Sequence, residues 1–326
     1  MRKALFIGID NYEVNKLFNC VNDATALSTL FQYNDDGSVN FATKELLNEE
    51  ATRANTRKHI KELFDGDSEM VLLYFSGHGL DDEKDGVIVT VDFDEDDYGL
   101  RMEEILSLAN KSKCKNKIII LDCCKGGLFG KSHGIIGDNS SLSNGLTILT
   151  ATTETGLASD GDFIDGHGLF TKLMIEALKG GAYDILGRVT PGSVYAYIDQ
   201  ALGAWEQRPV FKTNVSEFSI IRQGYPRIPL QTLQKITKYF NKPNMEMTLD
   251  PSFEETNIKG GYHAEKEPYA VPENIAILKD LQKLNRNGLL IPKDAAHMYD
   301  VVMESKSCIL TPLGKHYWNL VKKKKI

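Results

Sequence analysis

Two reactive side chains stand at the ends of two apolar runs. Val71-Leu-Leu-Tyr-Phe-Ser76-Gly77-His78-Gly79 ends on a histidine, and 46 positions after it comes Cys124, in Ile118-Ile-Ile-Leu-Asp122-Cys123-Cys124-Lys125-Gly126. Short apolar runs bounded by Gly and turn residues read as fully buried strands of a parallel sheet. In such sheets the ligand crevice lies beyond the carboxyl ends of the strands. A histidine and a cysteine are therefore expected at one edge of one sheet. The thiolate is the competent nucleophile of a cysteine, and a nearby imidazole both favours its ionisation and carries protons. The chemistry this pair supports is acyl transfer.

The elements that must position the pair follow from the rest of the pattern. Strands are predicted at 4–9, 43–47, 70–75, 117–121, 146–150 and 210–215, the last continuing into 218–221. Helical spacing occupies 22–33, 52–64, 102–111, 168–178 and 191–202. Strand and helix in alternation mean an α/β fold with a doubly wound, mostly parallel sheet over residues 1–222. Prolines then punctuate 223–270, which reads as a linker with one helix near 230–240. Residues 271–326 read as helix (272–285), turn at Asn287-Gly288, helix (293–303), strand (308–311) and helix (313–323), a small winged-helix-like α+β domain.

Bulk properties exclude several classes. The chain has 326 residues, 42% hydrophobic and 25% charged, with a formal net charge of -7, so the whole molecule gives no reason to expect nucleic-acid binding. The apolar start at Ala4 is cut short by Asp10, unlike a signal peptide, and no run reaches the roughly 20 apolar residues of a membrane helix. Five cysteines, with Cys123 and Cys124 adjacent, argue against a disulfide framework and for a reduced, cytoplasmic protein. Residues 271–326 carry ten basic against five acidic residues, ending in Lys322 to Lys325. Asp294 and Asp300 lie in the helix that would have to face phosphates, so a regulatory protein-binding surface is favoured there over DNA binding.

The pentapeptide Asp122-Cys123-Cys124-Lys125-Gly126, the motif Ser76-Gly77-His78-Gly79 and the later Gly168-Leu-Phe-Thr171 occur in an order that resembles the caspase-like cysteine peptidases. The likeness is closest to metacaspases and prokaryotic caspase homologues of the caspase-haemoglobinase fold, and covers about 1–222. It implies a mostly parallel six-stranded sheet with helices on both faces, and a cysteine endopeptidase acting through a Cys-His dyad. Cys124, two residues after Asp122, takes the nucleophile's place; Cys123 falls where relatives carry a small residue, and its side chain should point to the other side of the strand end. His78 takes the place of the proton carrier, and the backbone N–H groups of Gly79 and Cys124 that of the oxyanion hole. No third residue orienting His78 is visible in the sequence.

The same resemblance implies a specificity pocket. Metacaspases line it with an acid before the cysteine and another in a Cys-x-x-Asp segment, matched here by Asp122 and by Asn19-Cys20-Val21-Asn22-Asp23; Cys20, Asp23 and Ser76 carry over as pocket residues. Two carboxylates facing a cleft favour a cation, so cleavage is expected after Arg, then Lys, and not after Asp. The competing role for Asp23 is an acid satisfying free N–H groups at a helix N-terminus.

Other features remain open. Residues 81–97 hold nine acids against Lys84, a solvated loop, a funnel for basic substrates or a calcium site, with Asp94, Asp96 and Asp97 the candidate ligands and calcium the only cofactor considered. Asp160, Asp162, Asp165 and His167 lack convincing metal-ligand spacing and read as structural or solvent-facing. Lys125 and Lys131, in or beside the loop after the cysteine, are conceivable self-cleavage points. Family analogy suggests a regulated prokaryotic effector linked to antiviral defence. Two readings from other classes compete: a non-catalytic caspase-like scaffold, and a DNA-binding regulator acting through its C-terminal domain.

Overall fold

The structure is a computed structural model that describes residues 1–82, 85–94, 97–124, 142–151, 166–202, 209–216, 219–262 and 265–326, and for Asp81, Asp82, Asp85 and Cys124 the backbone alone. The chain divides into two units, Met1–Tyr183 with Gly187–Tyr225, and Asp184–Leu186 with Pro226–Ile326. In the first unit the elements run β1 (Arg2–Gly8), α1 (Cys20–Gln32), β2 (Ala42–Leu47), α2 (Arg53–Phe64), β3 (Met70–Asp82), β4 (Asp85–Val89), β5 (Gly99–Arg101) and α3 (Met102–Lys111). They continue as β6 (Asn116–Cys124), β7 (Leu146–Thr150), α4 (Leu169–Glu176), β8 (Arg188–Val189), α5 (Pro191–Ala201), β9 (Val210–Asn214) and β10 (Arg222–Gln223).

The central sheet has the order β2-β1-β3-β6-β7-β9. Its first five strands are parallel, and β9 closes it antiparallel to β7. Both faces are buried, which is why the strands read as unbroken apolar runs. Val71, Leu73 and Phe75 of β3 pack on one side with Ile60, Leu63 and Ile105 of α2 and α3. Met70, Leu72 and Tyr74 pack on the other with Leu27, Phe31, Met174 and Ile198 of α1, α4 and α5. Helix starts are set locally: Thr52 accepts the Asn55 N–H ahead of α2, and a Thr190/Ser193 capping box with Pro191 at the first position opens α5.

Two expectations need correction in the first unit. Strand β3 continues past the apolar run to Asp82, leaves β6 after His78 and pairs antiparallel with β4, which in turn pairs with β5. Much of the acidic stretch 81–97 thus belongs to a β arm rather than a loop, because Val87, Ile88 and Val89 are buried between the acids. Of the expected continuation at 218–221, residue 218 lies outside the described residues and 219–221 are not in a strand; the next strand, β10, pairs with β8.

The second unit holds α6 (Leu230–Gln234), α7 (Ile236–Tyr239), β11 (Glu246–Thr248), α8 (Pro272–Arg286), β12 (Leu290–Lys293), α9 (Met298–Met303), β13 (Ser307–Leu310) and α10 (Pro312–Lys322). The expected linker 223–270 is largely part of this unit. Ile228, Leu233, Ile236, Phe240, Leu249 and Phe253 share one core with Leu281, Leu284, Val301, Val302 and Trp318. Asp280 ties the halves together, accepting from Thr232 Oγ1, Lys235 Nζ and Tyr239 Oη. The expected helix at 293–303 begins only at Met298, and Leu290–Lys293 is a strand. The sheet order is β11-β13-β12, all antiparallel, with α9 inserted between β12 and β13. Among the described residues no helix is long and apolar enough to cross a membrane.

Candidate active site

The register of β3 against β6 aligns the two motifs residue for residue: Ser76 with Asp122, Gly77 with Cys123, His78 with Cys124. Neighbouring strands lie about 4.8 Å apart, so the two apolar runs deliver His78 and Cys124 side by side at the carboxyl end of the sheet. Cys123 is 1% exposed and packed in the core with Phe75 and Leu121, which counts against it as a nucleophile. Cys114 and Cys308 are likewise buried free thiols, and burial pushes Cys308 up to about 12.

A buried tyrosine and a backbone carbonyl hold the histidine. Its ring rests against Tyr12 with 4.6 Å between centroids. The Tyr12 hydroxyl accepts the His78 backbone N–H at 3.0 Å and donates to the Val89 carbonyl at 3.0 Å. Gly77 makes room for this: a Cβ there would come within 2.5 Å of the Tyr12 oxygen. His78 Nε2 lies 2.6 Å from the Asn15 carbonyl. A carbonyl only accepts, so Nε2 carries the proton and Nδ1 is left as the acid-base nitrogen of the neutral ring. Asn15 reaches the ring from a left-handed conformation, φ 57°, which asparagine tolerates better than most residues. Gly79 is where β3 changes partner, pairing with Ile88 of β4.

The acidic cluster forms beside the same strand ends, where Ser76 and Asp122 stand two residues before His78 and Cys124. Asp10 accepts the N–H groups of Cys20 at 2.8 Å and Val21 at 3.2 Å, and so caps α1. That leaves Asp23, 2% exposed, free of the capping role it might have had. Its Oδ1 lies 2.7 Å from His167 Nδ1, and its Oδ2 accepts the Gly168 N–H at 3.3 Å. Asp122 accepts from Thr171 Oγ1 at 2.6 Å, and Tyr74 Oη sits 2.7 Å from that same hydroxyl. A Cβ built on Gly168 would lie 3.3 Å from Asp23 Oδ2 and 3.6 Å from Asp122 Oδ2, so one oxygen of each carboxylate borders this glycine. Cys20 and Ser76, hydrogen-bonded to one another, are both buried beside the pair. Helix α1, strands β3 and β6 and the start of α4 thus bring Cys20, Asp23, Ser76 and Asp122 into one site.

Electrostatically this pocket is unfinished. Burial, then repulsion from Asp122, pushes Asp23 up to about 8. Burial raises Asp122 to about 6, with hydrogen bonds from Thr171 and Tyr74 holding it lower than burial alone would. Burial also raises the Cys20 thiol well above its usual range. Among the described residues no lysine or arginine is ion-paired with either carboxylate.

The acids of the β arm are occupied differently. Arg53 lies 2.9 Å from Asp97 Oδ2 and 3.8 Å from Asp94 Oδ2, its backbone N–H donates to Asp92 at 2.7 Å, and the Asp97 N–H donates to Asp94 at 2.8 Å. Two of the three calcium candidates thus face a resident guanidinium, and Asp96 lies outside the described residues. No group of three His, Cys, Asp or Glu side chains suited to a metal ion occurs among the described residues. Lys125, Lys131, Asp160, Asp162 and Asp165 also lie outside them. Sequence reasoning missed Tyr12, Asn15 and the pairing of His167 with Asp23. The left-handed tendency of Asn15 was the one local signal available; the His167 contact spans 144 residues and has none.

Comparison with known proteins bears on the family and the fold. The family model described as the caspase domain matches residues 1–219. No curated protein matches the sequence. Among solved structures, protein GSU0716 from Geobacter sulfurreducens is 19% identical with a TM-score of 0.50, covering 69% of this chain and 97% of its own. Caspase-1 from Spodoptera frugiperda is 12% identical with a TM-score of 0.49, covering 68% of this chain and 90% of its own. With the family model spanning most of its length, the chain belongs to the caspase-domain family of cysteine peptidases.

Proposed function

We propose that the chain is a cysteine endopeptidase that cleaves proteins after Arg or Lys. The observation that carries this reading is the convergence of Asp122 and the buried Asp23 on Gly168, without a lysine or arginine partner among the described residues, beside the strand ends that hold His78 and Cys124. In this reading the basic P1 side chain enters between the carboxylates. Arg is preferred because its planar fork can bond two carboxylate oxygens at once, whereas Lys offers a point charge. The Cys124 thiolate attacks the scissile carbonyl, and the backbone N–H groups of Gly79 and Cys124 stabilise the oxyanion. His78, its Nε2 proton anchored on the Asn15 carbonyl, takes the Cys124 thiol proton on Nδ1, gives it to the leaving amine and later takes one from water.

The same reading assigns the second unit a protein-binding, regulatory part rather than a nucleic-acid one. Several of its lysines are already paired: Lys279 with Glu255, Lys293 with Glu246, Lys306 with Glu304. The test is turnover of fluorogenic peptides bearing Arg, Lys or Asp at P1, with and without calcium, by wild type and Cys124→Ala. Turnover of Arg and Lys peptides that vanishes in the variant is expected. Turnover of the Asp peptide would overturn the pocket assignment, and absence of all turnover would favour the scaffold.

A further inference from the structure

The contact between His167 and Asp23 has no part in the scheme above. Asp23 is 2% exposed as a residue, and its carboxylate faces a second one. A buried carboxylic acid beside another holds its proton far above the usual carboxylate range. A protonated Asp23 would offer a guanidinium one neutral oxygen and a competing O–H. A pocket built to take a cation needs somewhere for that proton to go.

His167 fits that need. Its Nδ1 lies 2.7 Å from Asp23 Oδ1, and its side chain is 19% exposed where that of Asp23 is 3% exposed. The imidazole therefore touches the buried acid and water together. Its backbone is held in place: Asn22 Nδ2 donates to the Gly166 carbonyl, and the Gly168 N–H donates to Asp23 Oδ2. The groups acting on Asp23 are Asp122 from β6, Asp10 and the Gly168 N–H, with Cys20 of α1, Tyr74 and Ser76 of β3 and Thr171 of α4 around the pair. Imidazole is the one neutral side chain among these that can accept a proton near neutral pH.

We propose that His167 is a positioning residue of the acidic pocket, accepting the proton of Asp23 so that the carboxylate stands ionised before a basic side chain arrives. The transfer balances: the Asp23 carboxyl O–H bond breaks and an Nδ1–H bond forms, giving an imidazolium-carboxylate pair. When the substrate cation reaches Asp23, the imidazolium releases one proton to water and keeps Nδ1–H as a donor to Oδ1. Binding of a basic P1 residue is thereby coupled to proton release, through His167.

This inference rests on the proposed Arg/Lys specificity, and the test separates the two. KM and kcat for a P1-Arg peptide are measured from pH 5.5 to 8.5 in wild type, His167→Gln and His167→Ala. Gln keeps an N–H donor for Asp23 but cannot take a proton, so a purely structural hydrogen bond would survive in it. The expected result is a KM profile moved up by about one pH unit in His167→Gln, hence a KM about tenfold higher near pH 6.5, with kcat at saturation within about twofold. Added imidazole should lower the KM of His167→Ala toward wild type. A His167→Gln profile that superimposes on wild type while Arg is cleaved overturns the role of His167 and leaves the specificity standing. Equal losses of kcat and KM at every pH overturn it too. Failure of wild type to cleave Arg or Lys peptides overturns both.

Discussion

The molecule holds two acidic clusters whose electrostatics were completed in opposite ways. In the β arm, Asp92, Asp94 and Asp97 gather around Arg53, which supplies the guanidinium and a backbone N–H from within the chain. At the strand ends, Asp122 and the buried Asp23 lie together, and their described partners are hydroxyls, backbone N–H groups and an imidazole. The first set is partly exposed and faces a resident guanidinium. In the second set burial raises Asp122 to about 6, and burial together with repulsion from Asp122 raises Asp23 to about 8. Acids that bring their own cation hold a structure together. Acids that lack one fit a cation supplied from outside, as the proposed specificity requires.

Several measurements break or sharpen that contrast. The largest effect is expected from Asp122→Asn. Losing one member of a desolvated charge pair is worth about 3–5 kcal/mol, so turnover of P1-Arg peptides should fall by at least about a hundredfold. The same variant should be more stable than wild type at pH 8. Asp122 has a folded-state value raised to about 6, so the folded protein binds the proton more tightly than the unfolded chain. Its contribution to stability is therefore lost as pH rises from the usual carboxylate range through about 6. Asn removes that loss, and a melting temperature up by about 2–4 °C at pH 8, with no gain near pH 4, is the expected outcome by calorimetry.

The pH profile of wild type comes next. A carboxyl that holds its proton cannot pair with a guanidinium, so kcat/KM for P1-Arg peptides should fall as pH drops through about 6, where Asp122 protonates. A flat profile between pH 5 and 8 would contradict the pocket assignment. The smallest effect is expected in the arm. Arg53→Gln should lower the melting temperature by no more than a few degrees, since partly exposed pairs contribute about 0.2–1 kcal/mol each, and should leave P1-Arg turnover within about threefold. Calcium should raise the melting temperature of Arg53→Gln more than that of wild type, because the variant leaves Asp94 and Asp97 without their guanidinium.

What could be read in advance follows from the same physics. Strand β7 and helix α3 begin and end where periodicity places them, since each is a short element with clear boundaries. The apolar runs ending at His78 and Cys124 announce their strands because both faces are buried. Strand β4 was hidden by the acids that flank Val87, Ile88 and Val89, whose exposure depends on tertiary packing that composition does not reveal. The prolines of 223–270 masked a core because Ile228, Phe240 and Leu249 bury themselves between breaks in regular structure. Strand β12 buries Leu290 fully but contains Pro292, a residue that strands disfavour, so local propensity gives it no signal. In the site, motif spacing placed His78 and Cys124. Tyr12, Asn15 and His167 act through contacts spanning 63 to 144 residues, which a linear reading does not see.

The most direct test of the central claim compares two isosteric peptides, one with Arg and one with citrulline at P1, on wild type and Asp122→Asn. Citrulline keeps the length and planarity of arginine without its charge, so the ratio of the two kcat/KM values isolates the acids' demand for a cation. A ratio of about a hundredfold or more in wild type that collapses toward unity in the variant is the predicted result. A ratio near unity in wild type, or one that Asp122→Asn leaves unchanged, would contradict the account.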